Sequence, residues 1–279
     1  MKKIQYYIKT LAICFRFYFF EIEGTLFFKI KYFIEKILHF IIGNLNNIFK
    51  LKLGQIYLIN EDYVLKTKKG SFFIKKHSDL DYYIQPYYEI ELLPYFTIDG
   101  GIFIDIGAHI GKYSLKIAQE CKNTKVYSFE PCPDTFKILS KNIEINNLQN
   151  KIITINQGIS DMSGKIDFFA SNSTGISQIY NPNNIELSDG EIINIETISL
   201  DEFILKNSIN INDIKLIKID IEGHEYNALL GMKNLLENTK GLKIICEVFD
   251  EEISRIKKFL GKFGFKHKAI YHPNYLFYK

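Results

Sequence analysis

The stretch Gly101-Ile102-Phe103-Ile104-Asp105-Ile106-Gly107-Ala108-His109-Ile110-Gly111 decides how the chain is read. A short apolar run ends on an acid, passes through two glycines and enters a segment with apolar residues at helical spacing, which is the pattern strand, turn, helix. Open α/β sheets bind ligands at such junctions. Gly107 and Gly111 let the backbone approach a bound group and let the helix start tightly against the strand, with N–H donors at the helix start. A dinucleotide-binding turn would carry glycine where Asp105 stands, and its last glycine would come one residue before Gly111. Asp105 would repel a pyrophosphate. It would attract a ligand that carries an ammonium, a sulfonium and only a carboxylate as its anion, and S-adenosylmethionine has those groups.

Downstream, Tyr127-Ser128-Phe129-Glu130-Pro131 places a second acid at a strand end, 19 residues past Gly111. Glu130 is expected to accept hydrogen bonds from both hydroxyls of a ribose. Short apolar runs predict strands over 102–106, 125–129, 152–156, 214–220 and 242–249, each of the kind buried on both faces. Amphipathic spacing predicts helices over 111–120, 134–146, 225–237 and 251–262. This alternation predicts a doubly wound, Rossmann-like α/β fold with a mostly parallel sheet. Two further strand-like runs, 165–169 and 192–198, flank a polar loop at 171–190. That loop, with Asn172, Ser173, Gly175 and Ser177, is long enough to suggest an acceptor-binding or lid role. A terminal antiparallel pair is expected over 265–270 and 275–278, with His272 and Asn274 as turn residues.

Three parts are expected along the chain: a basic, aromatic helical segment over 1–50, a hairpin (63–66 with 71–74) and a linking helix (87–95) over 51–100, and the ligand-binding domain over 101–279. Residues 1–50 hold eight basic and three acidic side chains, a balance of +5, and 13 of the 41 phenylalanines and tyrosines. Charges interrupt every apolar run short of the roughly 18 residues a membrane span needs. No cleavage-site pattern follows the aromatic run 17–20. The segment reads either as helices lying on a membrane surface or as a helical cap on the domain. A net charge of +3 for the chain is too small for a nucleic-acid footprint. Four scattered cysteines give neither a disulfide framework nor a zinc site. They suit a reducing, cytoplasmic setting, extended to the inner face of a membrane if 1–50 makes peripheral contact there.

Over roughly 88–277 the chain resembles the FkbM-type methyltransferase family. The matching residues are 103–111, Phe129-Glu130-Pro131 with Lys141-Asn142, Ile195-Glu196-Thr197-Ile198-Ser199-Leu200-Asp201, and above all Leu216-Ile217-Lys218-Ile219-Asp220-Ile221-Glu222-Gly223-His224-Glu225. His109 stands where the family usually has Asn. The resemblance implies a seven-stranded sheet with an antiparallel last strand, S-adenosylmethionine as methyl donor, and O-methylation, often of hydroxyls on sugars or secondary metabolites.

Cofactor contacts are therefore expected from Asp105, Gly107, Ala108, His109, Gly111, Glu130 and Asp220. A hydroxyl is a poor nucleophile at neutral pH, so a group must take its proton. The candidates are Asp220, facing the cofactor or acceptor, Glu222, expected to orient the turn by accepting N–H bonds, and His224, whose ordinary pKa is near neutral. Glu225 is expected to do the same for the following helix. No metal is assigned, although Asp220, Glu222 and Glu247 at neighbouring strand ends would suit a hard cation. The expected partner is a small-molecule or glycan acceptor, such as a lipid-linked sugar. The competing readings are a nicotinamide-dependent oxidoreductase and a non-catalytic binding module of the same fold.

Overall fold

The computed structural model describes residues 13–51, 53–171, 177–180 and 190–279, with the backbone alone at 251. The chain forms two compact units, Met1–Ile90 and Glu91–Lys279, so the expected segment 1–50 and the hairpin share one unit.

In the first unit a π-helical turn, Phe17–Glu21, leads into helix α1, Leu26–Phe49. Thr25 starts α1 by accepting the Phe28 N–H at 3.2 Å. The helix ends where Lys50 turns left-handed. Strands β1, Tyr63–Thr67, and β2, Gly70–Ile74, form the expected antiparallel hairpin. Tyr32 is fully buried and donates its hydroxyl to Asp81 Oδ2 at 2.7 Å, and the Lys36 ammonium lies 2.6 Å from the same oxygen.

The expected linking helix over 87–95 is not α-helical. Short 3-10 turns, Leu80–Ile84 and Leu93–Tyr95, bracket irregular turns instead. Pro86 and Pro94 explain the difference, since neither has an N–H to donate and each ring crowds the preceding turn.

In the second unit the elements run β3 Gly101–Ile106, α2 Lys112–Glu120, β4 Thr124–Phe129, α3 Pro133–Ile145, β5 Ile152–Ile155, β6 Gly158–Ser160, β7 Gly164–Ser171, β8 Gln178–Ile179, β9 Gly190–Ser199, α4 Leu200–Lys206, β10 Ile214–Ile219, α5 Glu225–Leu230, α6 Lys233–Asn238, β11 Lys243–Glu247, α7 Asp250–Gly261, β12 Lys266–Tyr271 and β13 Asn274–Tyr278. Seven strands lie in the order β12-β13-β11-β10-β3-β4-β5. The five from β11 to β5 are mutually parallel, and β13 runs antiparallel to β11 and β12. From β3 the order runs through β4 and β5 on one side and through β10 and β11 on the other. The switch point, where α/β sheets hold ligands, therefore lies beyond the C-terminal ends of β3 and β10.

Alternation along the strands divides the core. Ile104, Ile106, Ile217 and Ile219 pack with Leu200, Phe203, Ala228, Leu229 and Ile256. On the opposite face Phe96 packs edge-on to Phe103 and stacks at 3.9 Å on Tyr113.

The helix expected over 225–237 is two helices. A Cβ at Gly231 would sit 1.9 Å from the Ser160 carbonyl oxygen, so β6 passes where a continuous helix would carry a side chain. The chain restarts with Asp201 capping α6, its carboxylate accepting the N–H groups of Asn234 at 2.8 Å and Leu235 at 3.0 Å. The runs around the polar loop belong to a separate four-stranded sheet, β6-β9-β7-β8, in which β6 and β8 were not anticipated. Asn172, Ser173 and Gly175 lie outside the described residues. Ser177 accepts the Ser171 N–H at 3.0 Å, just before β8. No helix among the described residues is long and apolar enough to cross a membrane.

Candidate active site

Parallel register sets Asp105 of β3 between Lys218 of β10 and Ser128 of β4. Asp105 is 1% exposed. Its Oδ2 accepts from the Ser114 hydroxyl at 2.6 Å, and Ser114 lies 2.7 Å from Ser128 Oγ. Asp105 Oδ1 has no hydrogen-bond partner among the described residues. Burial pushes this carboxyl up to about 6 even though the Lys218 ammonium and Ser114 pull the other way.

The turn after β3 is consumed by its neighbours. Gly107 and Ala108 donate to the Phe129 carbonyl, His109 donates its N–H to Glu130 Oε2 at 2.9 Å, and Gly111 donates to Ala108. A phosphate-cradling loop points such donors at its ligand, so the donor role expected of this turn does not extend to those four groups. Gly107 is left-handed (φ 80°), and a Cβ there would sit 1.9 Å from the Asp220 carbonyl oxygen. The close approach it permits is thus that of the chain leaving β10. Gly111 is also left-handed and faces Leu139 of α3, while Asn142 of α3 donates to the Ile110 carbonyl at 2.8 Å. His109 has φ 51°, a region Asn enters more easily than most residues, and burial lowers its imidazole to about 4, so it is neutral.

Glu130 joins this turn to the end of β4. Its second oxygen accepts the Cys132 N–H at 3.0 Å, and burial raises it to about 7 despite both backbone donors. Each carboxylate oxygen keeps a further lone pair for a ligand hydroxyl.

Asp220 follows β10, on the face that carries Asp105 and Lys218. Its Oδ2 receives the Lys218 ammonium at 2.8 Å, and that ammonium also lies 5.3 Å over the Tyr113 ring. The pairing of Ile219 with Cys246 brings Asp220 beside Glu247, and the two carboxyls hydrogen-bond. Burial would raise Asp220, but Lys218 and the Glu247 hydrogen bond outweigh it and hold Asp220 below its usual range. Burial and the Asp220 charge push Glu247 up to about 9, so of the two carboxyls Glu247 is the one whose protonated form is favoured. The expected carboxylate cluster is in this part a proton-sharing pair held by a lysine.

Glu222 does not orient the turn as expected. Glu225 does so, because its Oε1 accepts the N–H groups of Ile221 and Gly223, each at 3.1 Å. Glu222 is left-handed (φ 53°) and half-buried, and burial followed by the charges of Asp220 and Glu225 raises it to about 7. His224 hydrogen-bonds through Nε2 to Ser160 Oγ at 2.9 Å, and Ser160 donates to Asp161. Burial lowers the His224 imidazole. The structure therefore gathers Asp105, Lys218, Asp220 and Glu247, and directs His224 toward β6. Lys218 and Ser114 carried no role in the sequence reading. A lysine inside an apolar strand was the available signal, since a buried ammonium needs a buried acid beside it.

These shifts carry a stability signature. Glu130, Glu222 and Glu247 are raised from 4.5, so the stabilisation they give is complete below 4.5 and is lost as pH climbs through 7 and 9. His109 and His224 act in the opposite sense, but only below 6.5. The ligand-free protein is expected to melt at falling temperature from pH 6.5 to 9 in scanning calorimetry. A rising melting temperature over that interval would contradict the burial of these carboxyls.

Residues 105–267 match the family described as the methyltransferase FkbM domain. The chain belongs to the FkbM methyltransferase family. It is 30% identical over 153 residues to the hexuronic acid methyltransferase AglP of Haloferax volcanii, covering 53% of this chain and 57% of AglP. It is 28% identical over 166 residues to the 2-O-methyltransferase NoeI of Sinorhizobium fredii, covering 54% of this chain and 65% of NoeI. This FkbM-family chain thus spans less than two thirds of the length of either relative. Among solved structures it resembles P. horikoshii TYW2 in complex with MeSAdo, at 15% identity and a TM-score of 0.44, over 88% of this chain and 83% of that one.

Proposed function

We propose that the chain is an S-adenosylmethionine-dependent O-methyltransferase acting on a sugar hydroxyl, free or in a lipid-linked glycan. The observation that carries this reading is the unsatisfied Oδ1 of buried Asp105 at the switch point. An unpaired buried acceptor is costly, and a cationic or hydrogen-bond-donating ligand would relieve that cost. The surroundings favour a cation further, because among the described residues the Lys218 ammonium is the positive charge acting on all of Asp105, Glu130, Glu222 and Glu247. AglP and NoeI are named for methyl transfer to a hexuronic acid and to a 2-oxygen, which supports a sugar acceptor.

Asp105 would hold the positively charged amino-acid end of the cofactor, Glu130 its ribose hydroxyls, and Gly107, Ala108, His109 and Gly111 would shape the floor. The bound cofactor supplies an electrophilic methyl on a sulfonium. The chain has to bind the acceptor, exclude water and receive a proton. Asp220 is the proton acceptor we assign, because it stands at the switch point beyond β10, on the face of Asp105, with the Lys218 ammonium favouring its ionised form. The favoured protonation of Glu247 keeps a second negative charge away. Glu222 and His224 stay as the alternative bases.

Asp105→Asn and Glu130→Gln are each expected to weaken S-adenosylmethionine binding on the order of 10- to 100-fold in isothermal titration calorimetry, the worth of a charged hydrogen bond. Asp105→Asn should not lower the melting temperature much, since it removes a buried charge, whereas Glu130→Gln should lower it, because an amide cannot accept both the His109 and the Cys132 N–H. Wild-type affinity in both variants, or tight binding of NAD with none of S-adenosylmethionine, overturns the site.

A further inference from the structure

Helix α1 is built inside out for a helix in water. A surface helix normally turns hydrocarbon to the core and charge to solvent. Here the charged groups of its middle, Glu35, Lys36 and His39, face inward. Glu35 is 2% exposed and accepts the Leu58 N–H at 2.6 Å and the Ile59 N–H at 2.8 Å. Lys36 pairs with Glu35 and Asp81, and His39 reaches the Ile56 carbonyl at 2.8 Å. The outward side carries Phe27, Ile30, Ile34, Ile37, Ile41 and Ile48, from 41% exposed at Ile37 to 77% at Phe27. From Phe27 to Ile41 their spacing by threes and fours makes one stripe, which Asn44 interrupts before Ile48 near the end of a helix of about 36 Å. Exposed apolar strips of this extent mark an interaction surface.

The flanking positions narrow the occupant. A paired coiled coil would border the stripe with charges that set partner and register. This stripe is bordered by Leu26, Phe33 and Phe40 on one side, where Asn44 and Asn47 are also exposed, and by Leu38 and Leu45 on the other, with Lys31 the charge among them. The apolar arc is therefore wider than a two-helix seam. The basic groups sit at its end. The Lys68 N–H donates to the Glu21 carbonyl and the Lys66 carbonyl accepts the Glu23 N–H, so the exposed lysines of the hairpin border the turn where Phe15 and Phe20 protrude. With a balance of +5 over residues 1–50, the segment complements an anionic surface.

We propose that α1 lies in the plane of an anionic lipid bilayer, its stripe at the acyl boundary and Arg16, Lys66 and Lys68 among the phosphates. A broad apolar arc with a cationic rim, on a helix too interrupted by charges to cross a membrane, is the form of an interfacial helix. The inference does not depend on the proposed methyl transfer.

The test is co-sedimentation of the full chain with vesicles of phosphatidylcholine alone and of phosphatidylcholine with phosphatidylglycerol, next to the triple variant Phe27→Ser, Ile34→Ser, Ile41→Ser and the double variant Lys66→Glu, Lys68→Glu. The wild type is expected to bind the anionic vesicles more tightly. The triple variant should lose roughly tenfold or more in affinity for both compositions. The double variant should lose affinity mainly for the anionic ones, as high salt also should. Because the serines replace exposed side chains, circular dichroism and melting temperature should be unchanged. No vesicle binding by the wild type, or equal binding by the folded triple variant, overturns the proposal. A concentration-dependent dimer abolished by the triple substitution, without vesicle binding, overturns it in favour of a second copy of the chain.

Discussion

Asp220→Asn is expected to lower kcat by roughly 10²- to 10⁴-fold, the usual worth of a positioned acid–base group. The substitution preserves shape and removes the carboxylate whose ionised form Lys218 and Glu247 favour. S-adenosylmethionine affinity should change far less, which separates proton removal from cofactor binding. Glu247→Gln is the informative companion, since it still donates a hydrogen bond to Asp220 but has no proton to lose. In the wild type, deprotonation of Glu247 near 9 adds a negative charge beside Asp220, so activity should change there. In Glu247→Gln that limb of the pH profile should vanish. A kcat left intact by Asp220→Asn would remove Asp220 from the chemistry, and Glu222→Gln and His224→Gln would then identify the base.

The largest effect on stability is expected from Gly107→Ala. The new Cβ would lie 1.9 Å from the Asp220 carbonyl oxygen and 3.0 Å from its carbon and from Ile221 Cγ2, in a backbone region that costs an alanine about 1–2 kcal/mol by itself. Relief requires moving the end of β10 away from β3, which breaks the hydrogen bond from Asp220 N–H to the Ile106 carbonyl at 3.1 Å. A loss of roughly 3 kcal/mol or more, on the order of 10 °C in melting temperature, follows from strain and collision together. Gly264→Ala is the control, because Gly264 is also left-handed (φ 83°) but a Cβ there meets nothing within 4 Å. Equal melting temperatures for the two variants would show that Asp220 does not pack against Gly107 as described.

The same glycine marks how far the residues alone could be read. Asp105, Gly107, Gly111 and Glu130 stood out because strand, turn and helix are encoded by residues close together in the chain, in side-chain period and backbone permissiveness. What fills the space above Gly107 was hidden, since Asp220 lies more than a hundred residues away. The helix expected over 225–237 failed for a related reason. Its periodicity is sound, but the Ser160 carbonyl at Gly231 belongs to another strand and overrides it.

By itself the sequence determined the alternation of the five parallel strands with helices, the acid-and-glycine turn, the family, and the uneven charge of the first fifty residues, all of which are set by local pattern. Only the tertiary structure decided that Lys218 stands beside Asp105 and pairs with Asp220, that Glu247 lies against Asp220, that Glu225 rather than Glu222 braces the turn, and that α1 faces Glu35 and Lys36 inward. Each of these depends on strand register or on which helix face finds a partner. Register and partner are chosen by burial summed over the whole unit, to which residues distant in the chain contribute as much as neighbours do.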